Sequence, residues 1–376
     1  MSRNVLISGG GVAGLALAYW LDKAGFDVTV LERSPEWRGG GQAVDIRGVA
    51  LDVVKAMGLH GAIRELRTQL RGMSTLDEQG NEIERTEDRT FSAGRLDSDD
   101  IEIFRDDLCR LLMEQAGDRV HYIMGDSIRA LVQDDDGVTV SFQHRTDARF
   151  DLVVGADGVY SNVRKLAFAH ENAFVKPLGV VLALFSTPNL IGLDHWQLIH
   201  RDEGLGCVIY PSRDHQQLRV SVGFGADGLQ VSRDDVLAQK AIVAAKSTSL
   251  GGMFRPLIDA MQDTGQFYFN ELAQIHMSSW SQGRVVLAGD AAHCASPFSG
   301  QGTSLALVGA LVLARELERT PTDMARAFAA YEQRMRPFVD LNQALVDLER
   351  RGHVPDEQLT RAKNGIVLDD LLNLAA

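Results

Sequence analysis

From residue 4 onward, apolar and polar positions follow a recurring order. Residues 4–8, NVLIS, are a short apolar run that stops at glycines and predict a buried strand. Residues 15–25, LALAYWLDKAG, have helical spacing and close on Gly25, a favoured helix terminator. DVTVLER follows and predicts a second strand ending at Glu32, which completes a βαβ opening. A Gly-rich loop, SPEWRGGGQAVDIRG, leads into helical spacing up to about residue 68. Residues 70–90 read as a polar hairpin, and IEIFRDDLCRLLMEQAG as a strand end running into an amphipathic helix. Strands with a DDDG turn come next, and then the buried strand and Gly turn of DLVVGADG.

Between residues 174 and 225 the period changes. VVLALF, WQLIH, GCVIYP and LRVSVGF are separated by turn signals and predict an antiparallel sheet. Residues 233–262 are helical in pattern. VVLAGD returns to the parallel-strand style, and long helices are expected over 303–319 and 323–349, the second bent at Pro337. The chain therefore leaves one domain and returns to it. The nucleotide-binding domain takes residues 1–70, 92–170 and 270–320, the β-rich domain takes 71–91 and 171–269, and residues 321–376 supply C-terminal bridging helices.

With 376 residues the chain can form two domains, and 45% hydrophobic with 24% charged residues is ordinary for a soluble globular protein. Lys and Arg number 38 against 51 Asp and Glu, a net charge of −13, which disfavours nucleic acid. Cys109, Cys207 and Cys294 are odd in number and lie in no CxxC pair, which points to reduced thiols in the cytoplasm and away from a disulfide frame or a zinc site. No metal is expected. The apolar start meets glycines too early for a signal peptide, and the apolar run near 305–314 is too short to span a bilayer.

Three stretches carry chemistry. Gly9-Gly10-Gly11-Val12-Ala13-Gly14 is a GxGxxG between strand and helix. Its first Gly allows the tight turn, its second lets a pyrophosphate approach the backbone, and its third lets helix pack on strand. The helix N-terminus offers N–H groups to phosphate. Glu32, with Arg33 beside it, ends the next strand, where an acid accepts hydrogen bonds from an unphosphorylated ribose; NAD or FAD fits better than NADP. The second stretch, DLVVGADGVYSNVR at residues 151–164, has a bland alternative in which Arg164 is solvated. The third is GDAAHCASPFSGQG, residues 289–302. Gly289 and Asp290 follow a strand, and the Asp290 carboxylate can accept from polyol hydroxyls unless it merely caps a helix. Pro297, Gly300, Gln301 and Gly302 allow close backbone approach, and the helix they open points positive potential at an electron-rich ring. His293 reads as structural rather than catalytic.

Together these motifs resemble the single-component FAD-dependent aromatic hydroxylases, the para-hydroxybenzoate hydroxylase fold of group A flavoprotein monooxygenases, over nearly the whole chain. The compact tetracycline-inactivating flavin monooxygenases are the most similar members. The resemblance implies an α/β fold: a Rossmann-like FAD-binding domain with an inserted, mainly antiparallel β substrate domain. It places the adenosine end of FAD at the first turn and the ribityl chain and flavin at the last. It implies further that Arg105 lies against the FAD ribose or phosphate, that Asp45 and Arg38 belong to the cofactor site with Arg38 toward the nicotinamide nucleotide, and that Asp157 and Gly158 serve both FAD and NAD(P)H. Thr303 and Ser304 stand where many members have Asn.

The activity implied is an NAD(P)H- and O2-using monooxygenase. It moves one oxygen atom from a flavin C4a-hydroperoxide to an aromatic, polyketide or tetracycline-like small molecule, with no catalytic protein nucleophile. A monomer or weak homodimer is expected. Pro297 and Phe298 should lie near the flavin edge, and Gln197, Tyr210, Arg219 and Phe224 are candidates for the opposite wall, depending on strand register. Arg219 could hold an enolate or carboxylate. A reductase or dehydrogenase of the same fold, a plain NAD dehydrogenase and a non-catalytic flavin-binding protein are the alternatives. Hydroxylation and Baeyer–Villiger insertion, and NADH and NADPH, stay open.

Overall fold

A computed structural model describes residues 3–37, 39–168, 173–202, 204–350 and 353–372. Its first layer is a six-stranded sheet in the order Ser281–Gln282, Val285–Leu287, Leu152–Gly155, Asn4–Ser8, Asp27–Glu32 and His121–Met124. All neighbours are parallel except the edge strand Ser281–Gln282. Strands far apart in sequence therefore end side by side, and their following turns share one rim. The helix Val12–Lys23 buries every residue from Ala13 to Asp22, because it is held between this sheet and the helix Gly302–Arg319. Each fully buried Leu or Val here contributes roughly 1.5–3 kcal/mol relative to exposure.

The second layer is a seven-stranded sheet in the order Phe267–Ile275, Val175–Pro188, Gln217–Gly225, Leu205–Pro211, Gln197–Arg201, Met73–Leu76 and Glu82–Thr86. Only Gln197–Arg201 with Met73–Leu76 is a parallel pair. One face carries Val181, Ala183, Phe185, Ile209, Val220, Val222 and Phe224, and forms a separate core with the helices Val236–Lys246 and Phe254–Ala260. The other face, at alternate positions, is half-buried and turns toward a ribbon formed by Ala43–Ile46 and Ile101–Phe104: Tyr210 accepts a hydrogen bond from the Ala43 N–H at 3.1 Å and its ring stacks on Phe104.

Several elements differ from expectation. The helical pattern up to residue 68 resolves into a strand, Ala43–Ile46, and two short helices, Ala50–Ala56 and His60–Glu65. Val44 and Asp45 instead pair with Ile103 and Glu102 in a two-stranded ribbon. The strand Phe267–Ile275 carries the seven-stranded sheet past residue 270, because it pairs with Val175–Pro188 along its length. The last long helix runs over Met324–Gln343 with Pro337 inside it, and stops six residues before 349. There the amide of Gln343 turns aside to donate to the carbonyls of Ile275 (2.9 Å) and Cys294 (3.1 Å), so this helix clamps the end of the second sheet to the third motif.

Candidate functional site

The three motifs meet. Gly9 has φ +116°, and a Cβ there would overlap the Ala156 carbonyl, so the first turn is pressed against the second motif. A Cβ on Gly14 would overlap the Gly9 carbonyl, which makes this the close helix–strand contact. At Gly11 nothing lies within 4 Å of an added Cβ, so the second Gly faces open space. The helix that follows has no side-chain cap and no acid in its first turn, so the N–H groups around Val12 and Ala13 point at an uncovered, electropositive rim. Glu32 accepts from the N–H of Gly10 and of Ser34, both at 2.9 Å. Its carboxylate thus ties the loop to the strand end. Arg33 is exposed there, and Arg38 lies outside the described residues. Trp37, which the motif reading missed, packs its ring beside Gly10 and edge-on to Tyr122 at 5.8 Å.

In the second motif Asp157 accepts from the Ser161 hydroxyl and from the N–H groups of Asn162 (2.8 Å) and Val163 (3.1 Å). Burial raises its pKa above the usual carboxylate value, opposed by those donors. Gly158 takes φ +84° and its Cβ position is open. Arg164 is not solvated. It is fully buried and donates to the Ala291 carbonyl at 2.8 Å and the Val159 carbonyl at 2.6 Å, which ties the second motif to the third. A buried guanidinium whose donors meet carbonyl oxygens is the physical reason the solvated alternative fails.

The third motif turns at Gly289, φ +59°, whose Cβ position is 2.7 Å from the Ala13 Cβ. Gly289, not Asp290, occupies the cap of the short helix Asp290–His293. Asp290 is an exposed residue, but the protein around its carboxylate raises its pKa by desolvation, opposed by a hydrogen bond with Cys294. One of its oxygens lies 4.0 Å from where Gly302 would carry a Cβ. His293 is buried against Trp280, 4.7 Å ring to ring, and near the Tyr331 hydroxyl at 3.3 Å. Burial pushes its pKa down to about 4, so it is a neutral packing residue.

Pro297 and Phe298 are exposed beside the turn, and Gly300 takes φ +62° with its Cβ position 3.5 Å from the Arg47 guanidinium. Gln301 is fully buried, and neither its amide nitrogen nor its amide oxygen has a hydrogen-bond partner. It precedes the helix Gly302–Arg319, which again has no side-chain cap and no first-turn acid. Ser304 accepts from the Arg47 N–H at 3.0 Å, so its hydroxyl is engaged in the fold. Next to this turn, Asp45 pairs with Arg47 at 2.9 Å; burial lifts Asp45 to about 7 despite the guanidinium. Arg47 was not singled out from sequence, although it lies two residues after Asp45 in the same AVDIRG stretch. Arg105 begins the helix Arg105–Ala116, and its Cβ is 3.0 Å from where Gly41 would carry one.

Of the four candidates on the sheet, three share the face that looks toward the motifs. Gln197 is fully buried; it accepts from the Phe91 N–H at 2.6 Å and donates to the Ser92 hydroxyl at 2.7 Å, which holds that loop in place. Arg219 pairs across from Tyr210 and donates to Ser186 Oγ (2.7 Å) and Gln217 Oε1 (2.8 Å), while its guanidinium lies 5.6 Å from the Phe104 ring centroid. Its Nε is buried without a partner. Phe224 is a correction: it is 3% exposed and lies on the opposite face, in the core under the helices. Five residues separate it from Arg219, and an odd spacing on a strand puts two side chains on opposite faces. The pattern could have separated them, since Leu218, Val220, Val222 and Phe224 alternate with Arg219 and Ser221. Register also adds Leu182, Leu184, Val208 and Tyr268 to the Arg219 face.

This arrangement fits a long, two-ended cofactor. Open glycine backbone lies at one turn, an exposed carboxylate and an unpaired buried amide lie at another, and an uncapped helix start stands at each. A profile of the FAD binding domain family matches residues 2–344. An uncharacterised protein of Mycobacterium tuberculosis (strain ATCC 25618 / H37Rv) is 42% identical over 370 residues, 98% of this chain and 100% of that one. A flavin-dependent monooxygenase of Legionella longbeachae serogroup 1 (strain NSW150) is 35% identical, covering 91% and 88%. Among solved structures, tetracycline destructase Tet(51) superposes with a TM-score of 0.88 at 32% identity, covering 98% and 99%. No described helix is long and apolar enough to cross a membrane.

Proposed function

We propose a function from one premise: this chain belongs to the FAD binding domain family and is a flavin-dependent monooxygenase. The proposal is that NADPH or NADH is its reductant, O2 its oxidant, and a planar, anionic polycycle of aromatic, polyketide or tetracycline type its substrate. Bound FAD supplies the chemistry that activates O2 and delivers one oxygen atom. The chain's own residues bind, orient and exclude water.

In this reading Gly9, Gly11, Val12, Ala13 and Gly14 hold the pyrophosphate, and Glu32 and Arg33 the adenosine end. Arg105, Asp157 and Gly158 line the middle of the cofactor, and Asp45 sits at its ring end. Gly289 and Asp290 receive the ribityl hydroxyls, while Pro297, Gly300, Gln301 and Gly302 lie along the ring. Tyr210, Arg219 and Phe298 contact substrate. Gln197 shapes that wall through the loop at Phe91 and Ser92, and Phe224 has no part in it. The three cysteines, none of them in a disulfide, support a cytoplasmic location.

The observation that carries the substrate class is Arg219. It is a guanidinium with an unpartnered buried Nε, set over Phe104 on the sheet face turned toward the cofactor loops. Such a group favours an enolate, phenolate or carboxylate on a flat ring. The test is a panel of anionic and neutral polycycles, scored for stimulated NAD(P)H oxidation and for a product heavier by one oxygen atom. Stimulation by anionic members with labelled oxygen in the product supports the reading. Peroxide release alone, or equal stimulation by neutral analogues, overturns it.

A further inference from the structure

We propose that Asp194, His195 and His215 form a binding site for one divalent transition-metal ion, Zn2+ by the chemistry of its ligands, apart from the cofactor loops. Asp194 and His195 lie in the connection before the strand Gln197–Arg201, and His215 in the turn between Leu205–Pro211 and Gln217–Gly225. The ion would join these two loops to the segment around Gln69, at the end of the sheet that carries Gln197 and Tyr210.

The donor atoms already converge. His215 Nδ1 is 2.7 Å and His195 Nε2 3.7 Å from Asp194 Oδ1, and one atom from each of the three residues lies within 4.8 Å of the others. Ligands at ordinary Zn–N and Zn–O distances in a tetrahedron stand roughly 3.3 Å apart, so the observed spacings bracket the required ones. The tautomer is also set. His195 Nδ1 lies 3.0 Å from the Gln69 carbonyl, which can only accept, so this nitrogen carries the proton. With Nδ1 turned to Gln69, Nε2 is the ring nitrogen that faces the Asp194 carboxylate. A carbonyl behind a histidine is the usual support of a metal-ligating imidazole.

A second observation comes from His215. Its Nδ1 is buried and makes no hydrogen bond, because Asp194 Oδ1, though near, is out of line for one. Ring nitrogens and a carboxylate oxygen gathered at such distances are bridged by a proton or by a metal ion. Both histidines also hold left-handed backbone, φ +46° and +57°, which non-glycine residues rarely adopt and which recurs at functional sites. Arg71 pairs with Oδ2 of Asp194 at 3.2 Å and leaves Oδ1 to the cluster. Two imidazoles and one carboxylate suit Zn2+ over Mg2+ or Ca2+. No cysteine takes part, so the cysteine pattern was silent about it.

The experiment uses FAD-loaded protein stripped with a chelator. Zn2+ is titrated by calorimetry and Co2+ by its visible absorption. The expected result is one equivalent bound at about micromolar Kd or tighter, and His195→Ala and His215→Ala each weakening it by about 10-fold or more. His121→Ala, outside the cluster, should bind as wild type does, and flavin content should be unchanged in all. Should a histidine variant fold poorly, Asp194→Asn at an exposed position replaces it. Wild type with no binding tighter than about 1 mM, as would follow if only protons bridge these groups, overturns the proposal. So does equal affinity in the cluster variants.

Discussion

The turns at residues 9–14, 157–158 and 289–302 present backbone to the site, whereas the seven-stranded sheet presents side chains. The turns are held by steric necessity: Gly9 and Gly14 are where any Cβ collides, and Gly289 presses on Ala13. In the sheet, register decides which side chain faces inward. The contrast teaches where substitutions should act. A change in the turns should alter cofactor retention, and one on the inward sheet face should alter substrate recognition while flavin stays bound.

The broadest expected effect, on flavin and fold together, is at Gly14. Gly14→Val forces a branched side chain into the Gly9 carbonyl, and overpacking of this kind costs typically ~1–3 kcal/mol, occasionally more, with loss of flavin. Flavin absorbance per protein and a thermal melt measure both. Gly11→Ala is its counterpart: the added methyl meets nothing, so the apo melting temperature should stay unchanged while FAD affinity falls about 10-fold, or ~1.4 kcal/mol. Equal loss of stability in the two variants would dissolve the distinction between steric and ligand glycines.

On the sheet, Phe224→Ala should cost about 3–5 kcal/mol of stability through a core cavity, and leave KM near wild type where the protein folds. Arg219→Met should do the reverse, raising KM for an anionic substrate about 10–100-fold with normal flavin content, since a charge-assisted hydrogen bond is worth ~1.5–3 kcal/mol. If Arg219→Met loses flavin instead, the sheet face is not a separate recognition surface.

The narrowest effect is a pH slope at the boundary between the two regions. Folding raises Asp45 from 3.8 to about 7 by burial, so the folded chain keeps a proton that the unfolded chain releases. Stability from this group is fully present below the unfolded value and declines as pH rises through about 7. Asp45→Asn should flatten that part of a stability-versus-pH curve measured on apo protein; an unchanged slope would show that Asp45 does not titrate there.

The cofactor loops were legible because their requirements are local. GxGxxG, the acid at residue 32 and GDAAHCASPFSGQG each state a turn geometry within a few neighbours, and the chain's return from a β-rich segment to VVLAGD was visible as a change of period. Arg164 was not legible, since nothing near it in sequence shows that the Ala291 carbonyl lies above it. The same is true of Arg47, whose surroundings come from the turn at Gly300 and the loop at Ser92.

What the chain states by itself, then, is a set of turns, periods and caps, because these depend on φ and on residues within one or two turns of helix or strand. Which side of a strand becomes the inner face, whether an arginine is buried, and which loops bring His195 to His215 were decided by tertiary structure. Burial such as that of Arg164 depends on a partner 127 residues away, register depends on neighbouring strands that only the folded sheet selects, and one step of register reverses every side chain on a strand.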